Sequence, residues 1–434
     1  MTTSQTIGDL HVDVHYLTRV EGHGHIVIDT LRGELQRCEL NVVEAPRFFE
    51  AMLVGRPYAQ AAHLASRICG ICSVAHSTVS LRAAERALGV DVSAQTERLR
   101  RLAFHGEMLD SHVLHAYLLV APDFFGEASA IALAGKQPEV VMRALRMKRL
   151  AGDLCAALAG RHTHPVAMAV GGFRHVPTTG ELAALHRRLV AAREDVQATV
   201  ELYRGLDFPD FSRETEYLAL HQEGGYAFID GEIASSDGGV WPLERYAEVI
   251  HEHVVDHSTA KHARHARPAY MVGALARFRL NHDRLNPRAR VAAEALGLRA
   301  DCSNPYRITA AQVVEIVHCV EESITLCEGL IDSGVHKEPL ARPTRRSGEG
   351  VGAVEAPRGL LVHHYRIEDG LVRQANCIIP TNQNLANIEA DMRGLVPEVL
   401  PLGPEAVTRR LEMLVRAYDP CISCATHMLD VSFA

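Results

Sequence analysis

The chain reads as an α+β protein that is mainly helical, with a central body of long helices and small β-rich segments at the N- and C-terminal ends. Three observations predict this. Apolar residues recur at i, i+3 and i+4 through 95–120, 138–159, 179–205, 243–257 and 308–333, in stretches dominated by Ala, Leu, Glu and Arg. Alternating, β-rich runs stand outside them, in 25–43 and 360–379. Finally, two Cys-x-x-Cys pairs, Cys69/Cys72 and Cys421/Cys424, lie at opposite ends, each with a histidine downstream, His76 and His427.

In order along the chain, residues 25–29 form a first strand, Arg32-Gly33 a turn and 35–43 a second strand, which together make an N-terminal hairpin. From about Tyr58 the pattern becomes helical. Gly171-Gly172, Pro177, Pro209, Gly224-Gly225 and Gly238-Gly239 punctuate it. Residues 340–359, rich in Gly, Arg and Pro, read as a loop before the β-rich stretch 360–379. A final helix near 404–417 leads into the second Cys pair. No linker is long or polar enough to separate domains, and no repeat is present. The expected organisation is one unit, 1–434. It comprises a β-rich segment (8–45), a helical body carrying the first Cys pair (58–335) and a C-terminal segment carrying the second (340–434).

Composition narrows the function. A net charge of -8 argues against broad nucleic-acid binding. No apolar run is long enough to span a membrane. Residues 1–9 lack the basic and apolar regions of a secretory signal, so a cytoplasmic location is expected. Ten cysteines in 434 residues are not a disulfide framework. Cys38, Cys155, Cys302, Cys319 and Cys327 read as core residues. The four paired cysteines have metal-ligand spacing.

Four thiolates make a soft, anionic site for a transition metal. Zinc ribbons place their pairs about 12–20 residues apart, whereas here nearly the whole chain intervenes. Ligand type and spacing leave structural zinc, an iron–sulfur cluster and a catalytic metal open. Polar flanks favour a tuned metal: Arg67 and His76 bracket the first pair, and Asp419-Pro420 precedes the second. The segment Gly348-Glu349-Gly350-Val351-Gly352 has the glycine density of a nucleotide loop without its strand–turn–helix setting, so a dinucleotide site is not expected.

The two signatures, Arg67-Ile68-Cys69-Gly70-Ile71-Cys72 with His76 and Asp419-Pro420-Cys421-Ile422-Ser423-Cys424 with His427, resemble those of the large subunit of nickel–iron hydrogenases. The resemblance spans essentially the full chain and implies the large-subunit fold of that family. It implies that Cys69 and Cys421 bind nickel terminally. It also implies that Cys72 and Cys424 bridge nickel to an iron carrying one CO and two cyanides. Arg19-Val20-Glu21-Gly22-His23 resembles the family's Glu-Gly-His element and implies that Glu21 receives the proton from a terminal thiolate; alone, it would read as an exposed or capping residue. Glu355-Ala356-Pro357-Arg358-Gly359 resembles the element whose arginine covers the open side of the metals. Asp110 and Asp419 resemble the carboxylates that orient that arginine. Thr381 resembles a hydroxyl donor to a cyanide, and His76 a donor to the Cys72 thiolate. Glu50, 19 positions before Cys69, together with the Cys377 carbonyl and His427, resembles a second, hard metal site for magnesium or iron.

The resemblance implies reversible heterolytic cleavage of dihydrogen. The implied partners are an iron–sulfur small subunit, further flavin- or diaphorase-type electron-transfer subunits, and maturation factors. Residues 428–434 follow His427, where many family members are trimmed. The rival readings are a hydrogen-sensing regulatory hydrogenase, a zinc-stabilised helical scaffold and a complex I-like quinone-reductase subunit.

Overall fold

The computed structural model describes residues 10–426. His427 and the tail after it lie outside the described residues. The predicted hairpin forms as Gly24–Leu31 paired antiparallel with Glu34–Val42, turned by Arg32 and Gly33, both at positive φ (54° and 80°). A third strand, Leu10–Val14, adds to its other edge. It had no expectation, because His11, Asp13 and His15 dilute its alternation.

The helical body is built on Ser73–Leu88 (α1), Ala94–Val113 (α2), Pro138–Ala159 (α3) and Ile308–Ser333 (α4). Their starts are chemically marked: the Ser93 hydroxyl caps α2, and Pro138 occupies the first turn of α3. The expected helix over 179–205 is two helices, Thr179–Ala191 and Arg193–Arg204, the first begun by a Thr178/Glu181 capping box. Beyond α2, Leu114–Val120 continues as a π-helix. Two of its carbonyls take side-chain donors: Leu119 accepts from Arg19 (2.6 Å), and Ala116, which also accepts from the Ala121 N–H, from the Tyr203 hydroxyl (2.6 Å).

Two expectations fail inside and after this body. Residues 243–257 are not one helix. Leu243, Tyr246, Val249 and Ile250 are buried at helical spacing, but only Tyr246–Val249 is α-helical. His251–Val255 then pairs with Ser258–Arg264 as a hairpin. A further small sheet, with Glu216–His221 and Tyr270–Met271 at its centre and edge, also lies within the span expected to be helical.

The second failure is the supposed loop before residue 360. Gly348–Ala356 (β1) is a strand, paired with Gly359–Glu368 (β2), which pairs with Leu371–Ile378 (β3). Its glycines explain both the misreading and the fold. A Cβ on Gly348 would lie 2.1 Å from the Ala87 carbonyl, one on Gly350 2.3 Å from the Ala87 nitrogen, and one on Gly352 2.4 Å from the Val79 carbonyl. Alternate residues share one face of a strand, and here that face must lie directly on the α1 backbone. The glycines fit a helix against a strand. The strand runs opposite to the helix, so its far end, Ala356, is carried toward the start of α1, where Cys72 lies.

Pro380–Val399 (α5) and Pro404–Ala417 (α6) lead back to the second Cys pair. α5 packs on Glu34–Val42 and on the hairpin strand Ser258–Arg264, tying the C-terminal segment to the N-terminal one.

Candidate metal centre

Cys69 ends a short 3-10 turn, and Cys72 immediately precedes α1. Cys421 immediately precedes a single turn, Ile422–Ala425, after α6, and Cys424 lies within it. Glu21 and Arg47 hold the two segments in place against each other. The Ile422 N–H donates to the Glu21 carbonyl (2.9 Å), the Arg47 N–H donates to the Thr426 carbonyl (2.7 Å), and the Arg47 guanidinium donates to the Ile68 carbonyl (2.6 Å) and to the Ser423 carbonyl. Arg47 thus ties both Cys segments together, a role with no signal in the sequence. Gly22, at φ 86°, allows the approach: a Cβ there would lie 2.7 Å from that of Ile422.

The four sulfurs converge. Cys69 Sγ lies 3.4 Å from Cys421 Sγ, Cys72 Sγ 3.8 Å from Cys424 Sγ, and Cys421 Sγ 2.8 Å from Cys424 Sγ. All four are buried, and none is in a disulfide. One donor atom from each lies within 4.8 Å of every other. Hydrogen bonds from Cys421, Cys424 and Cys72 outweigh burial and hold the Cys69 thiol well below its usual range, whereas burial pushes Cys421 and Cys424 up. Charge in the cluster is shared. A soft metal replacing those protons relieves the crowding of four buried thiols, so the donor set fits a thiolate-bound metal.

The remaining residues are arranged around it. The Glu21 carboxylate accepts from the Ser423 N–H (3.0 Å), between the two C-terminal cysteines, and is half-buried. Arg358 is in the two-residue connection from β1 to β2, whose first residue, Pro357, is preset for a turn. Its Nε donates to the Asp419 carbonyl (2.6 Å) and a terminal nitrogen to the Asp419 carboxylate (2.7 Å). Asp419, held at φ 53°, also accepts from Gln312 (3.3 Å). The Thr381 hydroxyl, in the first turn of α5, accepts from the Cys421 N–H (3.0 Å). Glu50 accepts from the Cys377 N–H (2.6 Å), so these two expected members of the second metal site are adjacent, while His427 lies outside the described residues.

Three expectations are placed differently. Asp110 does not meet Arg358. Its carboxylate pairs with Lys148 (2.7 Å), and the neighbouring Ser111 hydroxyl faces the guanidinium instead (3.5 Å). Successive helix residues point about 100° apart, and Ser111 is the one on the inner side. His76 lies in the first turn of α1, but its ring meets His363 (3.4 Å). His363 in turn contacts Tyr365 (2.8 Å), which donates to Ser80 (2.9 Å). Burial lowers His76 to about 4, so it is neutral. Arg67 is exposed. Sequence reasoning also missed Glu107, buried in α2, whose carboxylate accepts from the Val74 (2.5 Å) and Ala75 (2.8 Å) N–H groups directly behind Cys72. It is an acid at a helix N-terminus contributed by another helix.

Residues 47–141 and 246–427 match the family described as nickel-dependent hydrogenase. The chain belongs to this family, as the large chain of a hydrogenase. It is 34% identical to the alpha chain of sulfhydrogenase 1 from Pyrococcus furiosus, over 97% of this chain and 98% of that one. It is 30% identical to a chain of the F420-non-reducing hydrogenase from Methanothermobacter thermautotrophicus, over 95% of this chain and 94% of that one. A solved NAD+-reducing [NiFe]-hydrogenase in the H2-reduced state superposes with a TM-score of 0.87 at 30% identity, covering 96% of this chain and 99% of that one. The fold class and the hydrogenase reading are therefore established, above the zinc-scaffold and quinone-reductase alternatives.

Proposed function

We propose that Cys69, Cys72, Cys421 and Cys424 hold a nickel–iron group whose iron carries CO and cyanide, with Glu21 as the proton exit and Arg358 as the fixed cation beside it. The observation that carries this reading is the closure of four buried sulfurs between Glu21 on one side and the Arg358–Asp419 pair on another. When bound, the group supplies the heterolytic cleavage of dihydrogen. The chain's own residues exclude water, hold charge and move the proton. Cys421 Sγ releases a proton toward the Glu21 carboxylate, which is half-exposed and fixed by the Ser423 N–H. Arg358 offers a positive charge whose orientation is set before reaction by Asp419, so it reorganises little. The Thr381 hydroxyl keeps its own proton for donation to a cyanide.

Magnesium at Glu50 and the Cys377 carbonyl suits a carboxylate–carbonyl donor set. Beyond the four cysteines, no cysteine cluster lies among the described residues, so electrons leave to an iron–sulfur small subunit. In this reading the electrons pass on through flavin- or diaphorase-type subunits to a nicotinamide, deazaflavin or disulfide acceptor in the cytoplasm; the NAD+-reducing relative supports the nicotinamide acceptor, whereas the F420-non-reducing one gives the deazaflavin no support. No helix among the described residues is long and apolar enough to cross a membrane.

Two measurements test this. The purified complex shows infrared bands of metal-bound CO and cyanide; zinc without nickel and without those bands sinks the reading. Glu21→Gln keeps an acceptor for the Ser423 N–H but cannot carry a proton. Turnover and hydrogen–deuterium exchange fall by about 10²–10⁴-fold, with nickel and iron content unchanged. Exchange at the wild-type rate refutes the role of Glu21.

A further inference from the structure

The structure assigns a third metal site, for a divalent transition ion of the zinc class, to His257, His262 and Glu389. None of the three belongs to the cysteine centre or to the Glu50 site. His257 stands in the turn of the hairpin His251–Val255/Ser258–Arg264, His262 on its second strand and Glu389 in the middle of α5. One donor atom from each lies within 4.8 Å of the others. His257 Nε2 is 2.7 Å from Glu389 Oε1, and the two imidazole rings are 5.5 Å apart and nearly perpendicular.

The arrangement has a feature that hydrogen bonding alone leaves unexplained. His262 is 4% exposed, and its Nε2 has no hydrogen-bond partner. A buried polar atom left unpaired forfeits its hydration with nothing in return, so it is normally satisfied by something. Burial, with His257 and His253 nearby, lowers His262 to about 4, leaving a neutral imidazole with a lone pair to give. The Glu389 carboxylate is already oriented, since Oε1 accepts from the Leu40 N–H (3.0 Å). Two imidazoles and a carboxylate are a donor set for zinc and neighbouring first-row ions. An entry path exists: His257 also lines a surface groove with Arg37, Glu39 and Asp256.

The site clips the hairpin to α5 in its middle, as Asn382 and Glu252 join them at its start (3.4 Å). Glu389 is eight positions from Thr381, about 12 Å along the helix axis. The ion therefore steadies the helix that presents Thr381 to Cys421 while lying away from the sulfurs.

The test uses the intact purified complex, treated with EDTA, re-equilibrated with zinc chloride and desalted. Metals are then counted by mass spectrometry. Wild type retains about one zinc per chain. His262→Gln and the more exposed His257→Gln each lose it, with nickel unchanged in all three. Zinc-edge X-ray absorption on wild type shows nitrogen and oxygen neighbours near 2.0–2.1 Å. The proposal is overturned if wild type retains no zinc, if both variants retain as much as wild type, or if the absorption shows sulfur neighbours near 2.3 Å, which would place zinc on the cysteines.

Discussion

Arg358→Lys lowers dihydrogen-dependent reduction of a soluble dye by about 10²–10³-fold, the scale of losing one preorganised donor, while nickel and iron content stay at the wild-type level. Asp419 takes two bonds from one planar guanidinium, its carbonyl from Nε and its carboxylate from a terminal nitrogen, at 2.6 and 2.7 Å. The other terminal nitrogen is left toward Ser111 at 3.5 Å. An ammonium keeps the charge but has no fixed fork. It can satisfy the carboxylate or the carbonyl, and in either case the charge is no longer aimed. Arg358 is 4% exposed and Asp419 2%, so solvent does not screen the difference. Because a lysine still neutralises Asp419, folding and metal loading survive. Full turnover with full metal content in this variant would remove Arg358 from the reaction.

What the sequence displayed and what it hid divide along a physical line. The long helices were legible because periodicity in Ala- and Leu-rich stretches is a local signal, and 308–333 matches Ile308–Ser333 end to end. The four cysteines were legible because thiol pairs at ligand spacing are rare outside metal sites. The strand Gly348–Ala356 was hidden because its glycines answer to a partner helix more than 250 residues earlier, not to a turn. The hairpin 251–264 was hidden because buried residues at 243, 246, 249 and 250 imitate a helix. Asp110 was misplaced by one residue. Family likeness indicates a segment, but only the helix phase shows that Ser111 faces Arg358. Arg47 and Glu107 carried no signal, since their partners are backbone groups brought close by folding.

Arg277→Met destabilises the fold by about 3–5 kcal/mol, the cost of leaving a buried charge without its partner, and the loss grows as pH rises. Arg277 is fully buried. It binds Glu315 through two bonds of 2.6 Å, Glu355 at 3.1 Å, and the carbonyls of Ala356 (2.9 Å) and Pro357 (3.1 Å). Glu315 also takes bonds from Tyr226 (2.7 Å) and meets His112 (2.7 Å). Burial pushes Glu315 up, but Arg277 and His112 outweigh it and hold the carboxyl down to about 2; burial raises Glu355 to about 7. In wild type, Glu315 therefore contributes stability that is present above its unfolded value of about 4.3 and lost only as pH falls toward 2. Glu355 works in the opposite sense, its contribution fading as pH rises through 7. Without the guanidinium, burial outweighs what is left to hold the carboxyls down, the His112 contact at Glu315 and the Leu220 N–H bond at Glu355. Both folded values then lie above the unfolded one, so the variant is least impaired near pH 5, where both are protonated, and most impaired near pH 8. Thermal midpoints of the complex across that range check the sign; a deficit that shrinks with rising pH would contradict it. The same substitution reaches the metal centre, because the carbonyls that Arg277 holds belong to the two residues before Arg358. A loosened hairpin tip displaces the guanidinium that Asp419 aims, so turnover falls even at pH 5, where the fold is best preserved.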